Sequence, residues 1–242
     1  MTGTIVNAAA IAAGGAIGLL FKKGLPQRVE ENALKFVGTG VAILGLNGVI
    51  CAMITADTAT GLLSYEGGIL LVLSLAAGGI LGELFYIEDK LNAGGLAIER
   101  RLGAQGFAKG FVSASMLFCI GAMAIVGSIS DGLNHDSSIL FVKATLDGIT
   151  SIVLAAALGY GVLFSAFAVL LYQGLITLGA GLLAPVLDGT ALLNQICMVG
   201  YCIVLLIGTN MLGATKVKTA NLLPAMLGPV VHNLIMMLKN TW

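Results

Sequence analysis

Charge is what this sequence has least of. Of 242 residues only 10 % are Asp, Glu, Lys or Arg, and the 12 acids balance the 12 bases to a net charge of zero. A neutral chain without a basic patch cannot neutralise phosphates, which excludes a nucleic-acid partner. Histidine is nearly absent as well: there are two, and no His/Cys cluster has metal-site spacing, so neither a metal nor any other cofactor is expected. The four cysteines, Cys51, Cys119, Cys197 and Cys202, sit inside apolar runs, not in loops. There they read as small apolar filler, not as a disulfide framework or a file of soft-metal ligands. No P-loop is present, so any transport is not driven by the chain's own ATP hydrolysis. Ser113 and Ser115 have no histidine near them in sequence, and no base, nucleophile or ligand set is placed together, which argues against an enzyme. The N-terminal MTGTIVNAAAIAAGG lacks the basic start of a cleavable signal peptide, so its apolar stretch is expected to be retained.

What the chain has in abundance is apolar length. Hydrophobic residues make up 58 % and mean hydropathy is +1.01, a composition that predicts an all-α, polytopic transmembrane bundle. Eight spans are expected, at roughly 4–21, 35–55, 67–87, 110–129, 138–159, 162–186, 191–213 and 220–238. The boundary before the sixth is set only by Gly159-Tyr160-Gly161. Loops near 22–35, 86–109 and 214–219 carry Lys22, Lys23, Arg28, Lys35, Lys90, Arg100, Arg101, Lys109, Lys216 and Lys218. The opposite loops carry Asp57, Asp131, Asp136 and Asp188 and no Lys or Arg. The positive-inside rule then puts the basic loops in the cytoplasm and both termini outside.

The chain reads as one membrane domain, 1–242, with an internal repeat. Ala12–Phe21 is AAGGAIGLLF and Ala76–Phe85 is AAGGILGELF, seven identities in ten at an offset of 64. Each begins a helical hairpin running in the same direction, 4–55 and 67–129, and parallel repeats of this kind recur in transporters. Gly14/Gly18 and Gly78/Gly82 form GxxxG pairs that let backbones approach closely. Where the first copy has Leu19 the second has Glu83, either snorkelling to water or binding a cation. Asn47, near the end of the first return span, corresponds to a region with Ser128, Ser130 and Asp131 that either caps a helix or lines an entrance.

Polar groups inside the later spans give the candidate site. Lys143 and Asp147 are four residues apart in SSILFVKATLDGITSIVLAAAL, so they share a helical face and can pair. A helix starting near Ser138 carries Asp147 roughly 13–14 Å deep, close to the midplane. An ionisable group at that depth marks either a transport path or a structural ion pair. Asp131-Gly132 and Asp147-Gly148 flank a stretch where irregular backbone is expected, the C-terminal helices 138–238 are expected to include discontinuous segments, and Pro224 and Pro229 suggest a bent last span. Ser151, Tyr172, Gln173, Asn47 and Asn210 are hydrogen-bonding candidates for the path. His232 is either a bonded structural group or a proton relay.

Several blocks together resemble one family: GTIVNAAAI at the start, LFCIGAMAIVGSISDGL from Leu117, SILFVKATLDGITSIVLAAALG from Ser138, VLLYQGLITL from Val169 and ANLLPA from Ala220. The chain resembles, over essentially its whole length, the bacterial integral-membrane family catalogued as domain of unknown function 554. The resemblance implies a multi-span inner-membrane protein of a group often described as transport proteins. It implies no substrate and no site residues. The residues themselves favour a secondary transporter or channel for a small solute, a cation or small amine, with Asp147 as acceptor and Lys143 as its counter-charge. The other reading is a membrane scaffold or complex subunit whose buried charges specify assembly. Its expected partners are the lipid bilayer, the solute and a second copy of the chain, as a homodimer.

Overall fold

The structure is a computed structural model that describes residues 1–22, 27–56, 63–102, 106–120, 122–182 and 191–240. It is a helical bundle. Helices α1 (Thr2–Lys22) and α2 (Gln27–Met53) are followed by a short antiparallel ribbon, Ile54–Ala56 against Leu63–Tyr65. Then come α3 (Gly68–Leu84), α4 (Ile87–Leu102), α5 (Phe107–Cys119), α6 (Ala122–Leu133), α7 (Ser138–Leu158) and α8 (Tyr160–Leu178). Helix α9 (Ala191–Leu212), a 3-10 segment (Thr219–Leu227) and α10 (Gly228–Asn240) complete the described chain. Among the described residues, six helical stretches are long and apolar enough to cross a membrane, and up to eight if each of two bent pairs is one span. The eight-span expectation agrees with this, although the end of its sixth span, with Asp188, lies outside the described residues, as do Asp57 and Lys23.

Glycine decides which helices touch. A Cβ on Gly14 would collide with the Gly148 carbonyl and the Ser151 hydroxyl, and one on Gly18 with the Ile152 carbonyl. The first GxxxG face is therefore pressed onto the backbone of α7, where only a missing side chain permits contact. The second pair is used differently: Gly78 and Gly82 meet the backbone of Ala225 and Asn221 in the 3-10 segment. Gly45 and Gly208 make the third close crossing, between α2 and α9. Between α7 and α8 there is no loop. Gly159 turns the chain with φ +83, a backbone conformation that side chains disfavour, and α8 begins at the next residue.

The breaks do not fall where Asp-Gly pairs suggested them. Helix α7 runs unbroken through Asp147-Gly148, and α6 runs through Gly132. A glycine inside a helix costs only about 1 kcal/mol, and here close packing uses the missing Cβ. The interruption falls instead between α5 and α6, which meet at 62° with Ile120 extended at the junction. The stretch 86–109, expected as a loop, is mostly the charged helix α4, set at 54° to α3 beyond the elbow at Tyr86. In the last span Pro224 lies within the 3-10 segment and α10 resumes at Gly228. Pro cannot donate to the helical ladder, so a change of helix type there is expected.

Candidate functional site

Helix α7 places Lys143, Asp147 and Ser151 on one buried face at successive helical turns. The Lys143 ammonium donates to Asp147 Oδ2 at 2.7 Å. Asn7, from α1, donates to the same oxygen at 3.1 Å and lies 3.2 Å from Gln173 Oε1 on α8. Asn7 and Gln173 are both fully buried. Ser151 Oγ lies within bonding reach of the Ile11 carbonyl (3.1 Å) and of the Gly148 carbonyl (2.8 Å), so it stitches α7 to α1.

The two bonds to Oδ2 leave Asp147 Oδ1 without a hydrogen bond among the described residues. Asp147 also lines a cavity of about 320 Å³ between α2, α5, α7 and α9, and it is the one charged residue among the described residues that line it. Asn47, Thr150, Tyr201 and Phe118 contribute to the same wall. Leu117, Phe118 and Ile120 bring the carbonyl end of α5 to this cavity, where the helix stops. The last carbonyls of a helix lack intrahelical partners and carry partial negative charge. The cavity thus offers a carboxylate, a helix C-terminus and aromatic walls, all of which favour a cation. Lys143 is not among the lining residues, so the cavity meets the acid and not its counter-charge.

The other candidates from the sequence lie elsewhere. Tyr172 is adjacent to Gln173 in sequence but lines a separate, apolar hollow with Cys119, Leu223 and Met226. Asn210 fastens the 213–218 turn: its side chain donates to the Val217 carbonyl at 2.7 Å and accepts from Thr215 at 2.7 Å and from the Val217 N–H at 3.0 Å. It also borders a polar hollow of about 350 Å³ with Glu88, Asn92, Lys109 and Ser113. Glu83 belongs to a charged cluster at that end of the bundle. It accepts from Lys218 at 3.3 Å and from Asn221 at 2.5 Å, while Lys218 also reaches Asp89 at 3.1 Å. His232 is exposed, in a groove between α3 and α10. The structure therefore joins Asp147, Lys143 and Ser151 with Gln173, sets Asn47 on the same cavity, and separates Tyr172, Asn210, Glu83 and His232 from them.

Asn7 was missed. It is one of few polar residues in TGTIVNAAAIAAGG, and its place three residues after Thr4 and seven before Gly14 puts it on the packed stripe of α1. The end of α5 was missed too, although LFCIGAMA contains the glycine that follows Ile120.

The model of the family "Protein of unknown function (DUF554)" matches residues 2–234. The uncharacterized membrane protein YdfK of Bacillus subtilis (strain 168) is 35 % identical over 231 residues, covering 96 % of this chain and 95 % of that protein. The uncharacterized protein YqgA of Escherichia coli (strain K12) is 26 % identical over 233 residues, covering 93 % of each. No solved structure matches the chain. The chain belongs to the DUF554 family and is a multi-pass membrane protein.

Proposed function

We propose that this DUF554 protein is a secondary transporter or channel for a small cation, best an organic ammonium ion, that binds Asp147. The observation that carries this reading is the free Oδ1 of a buried carboxylate on a cavity whose lining includes no cation. A bare metal ion prefers several oxygen ligands, and this wall supplies few. An ammonium ion with an apolar body matches the wall better: its charge meets Asp147 and its carbons meet Val41, Leu117 and Val204. A carboxylate near the midplane is expensive to keep, and a passing cation is what makes it useful. We place the protein in the bacterial inner membrane with the Lys218 end in the cytoplasm, as a homodimer that acts without enzymatic chemistry. The exposed apolar side chains of α3, among them Ile69 at 80 % and Ile80 at 69 %, suit lipid or a second copy.

The scaffold reading draws on a different observation. The Lys143–Asp147 pair is closed at 2.7 Å and buried, as a purely structural pair would be. Flux into proteoliposomes decides between them, with potassium, tetramethylammonium, a primary amine and a polyamine as solutes. Uptake of one of these that disappears in an assembled Asp147→Asn protein supports the transporter. No uptake of any of them, with the variant dissociating in detergent, transfers the pair to assembly.

A further inference from the structure

Behind Asp147, on the side away from the cavity, a seam of buried polar side chains runs between α1 and α8. It starts at Asn7 and Gln173. Asn7 Oδ1 and Gln173 Nε2, both in fully buried residues, have no hydrogen-bond partner among the described residues. Orphaned polar atoms at such depth are rare unless water or a ligand visits them. One turn further along each helix, Thr4 and Thr177 face each other at 3.2 Å between their hydroxyls. Beyond them lies the buried Asp131, which accepts from Ser137 at 2.7 Å and stands 2.8 Å from the α-amino group of Met1. Side chains a turn apart on a helix are about 5–6 Å apart, a gap that one water spans.

We propose that this seam carries a proton between Lys143 and the Asp131 end of the bundle, so that an organic ammonium ion bound at Asp147 is exchanged for one proton released from Lys143. This rests on the reading of Asp147 as the cation acceptor. The argument is one of charge. A single buried carboxylate compensates a single cation, and in the empty site that cation is the Lys143 ammonium at 2.7 Å. When a solute ammonium settles against Oδ1, two cations share one anion in a low-dielectric site. A desolvated lysine, unlike an arginine, can give up its proton. Its N–H bond breaks, the electron pair stays on the amine, and a water of the seam takes the proton as hydronium towards Asp131. The site keeps one carboxylate and one cation throughout. The charged and titratable groups facing Lys143 are Asp147 on its own helix, Cys119 on α5 and, at the end of the seam, Asp131 and the Met1 α-amine. Among the described residues, the side chains that α1 and α8 bring together along the seam are the amides of Asn7 and Gln173 and the hydroxyls of Thr4 and Thr177.

Tetramethylammonium is the probe, because its charge is fixed and any pH dependence belongs to the protein. Calorimetry on the purified full chain should find one proton released per ion bound, with affinity rising about tenfold per pH unit while Lys143 is charged. Lys143→Arg, whose guanidinium keeps its proton, should bind without release, and with affinity flat in pH. In proteoliposomes, Thr4→Val with Thr177→Val should keep tetramethylammonium counterflow and lose the accompanying proton movement. Binding by the wild type that is flat in pH and releases no proton overturns the exchange and leaves the proposed function standing. Proton movement that survives in the Thr4/Thr177 variant overturns the seam as its route. Failure of the wild type to bind the probe or any other solute overturns the proposed function and this inference with it.

Discussion

Asn7 and Asp147 are 140 positions apart in sequence and 3.1 Å apart in the fold, with the amide of one donating to the carboxylate of the other. That bond fixes which way Asn7 points. A flipped amide would set oxygen against oxygen, so Nδ2 must face both Asp147 and Gln173, and Oδ1 is turned away from both. The central acid is thus oriented by a helix near the start of the chain as well as by its own lysine. It follows that the two charges can be separated experimentally from the packing.

Removing one charge should be worse than removing both. Asp147→Asn leaves the Lys143 ammonium buried without its counter-charge, which costs roughly 3–5 kcal/mol unless the lysine gives up its proton. The double variant Asp147→Asn with Lys143→Met buries no charge and should recover most of that loss. Thermal unfolding in detergent, followed by size-exclusion, measures both. Solute binding should be absent from both, because neither keeps the carboxylate. A double variant no more stable than the single one would show that the pair contributes geometry beyond its charge.

Glycine contacts predict a sharp contrast among substitutions that look alike. Gly14→Ala and Gly82→Ala drive a methyl into the backbone of α7 and of the 3-10 segment, and overpacking of that kind costs roughly 1–3 kcal/mol or more. Gly40→Ala, in α2, meets nothing within 4 Å and should be neutral or stabilising by about 0.5–1 kcal/mol. Unfolding temperatures of the three variants in one detergent test the ranking. Equal losses in all three would mean that the helix crossings are looser than this packing requires.

These contrasts also show which parts of the fold could be read from the sequence. Span number, the Lys143–Asp147 pair and the close-packed GxxxG faces follow from hydropathy and from periods of three and four, which are local. What the glycines touch is not local. Gly14/Gly18 and Gly78/Gly82 are nearly identical in sequence, yet one pair meets α7 and the other the 3-10 segment. Gly148 looked like a break because an acid precedes it, but tight packing against Ala10 keeps the helix intact. Tyr172 and Gln173 are neighbours in sequence and face different sides of α8, since adjacent residues on a helix diverge by about 100°.

At the Lys218 end, Glu88 gives a pH prediction. Burial raises its pKa above the ordinary 4.5, against the opposing pull of the Ala220 N–H and of Lys218. A carboxyl with a raised folded pKa binds its proton more tightly folded than unfolded, so stability falls as pH rises through the window between the two values. Glu88→Gln keeps an acceptor for Ala220 and has no charge to desolvate. The advantage of the Gln variant in melting temperature should therefore grow as pH rises above the ordinary carboxylate range. A wild type that instead gains on the variant as pH rises would show that Ala220 and Lys218 outweigh the burial.

The walls of the cavity should discriminate by chemistry, and this separates a binding site from a mere void. Tyr201 is among the residues that line the cavity with Asp147, and a cation–π contact is worth about 1–2 kcal/mol when desolvated. Tyr201→Leu should therefore weaken tetramethylammonium binding about 5–30-fold. Potassium, which gains less from an apolar-sided wall, should change little. His232→Gln, in the groove between α3 and α10 and far from these walls, should leave both unchanged. Isothermal titration with the two cations on the three proteins gives the comparison. If Tyr201→Leu weakened both ions equally, the wall would act through packing and the preference for an organic ammonium would have to come from elsewhere. If His232→Gln were the variant that lost binding, the site would lie at the α3–α10 groove, and the carboxylate of Asp147 would return to a structural role.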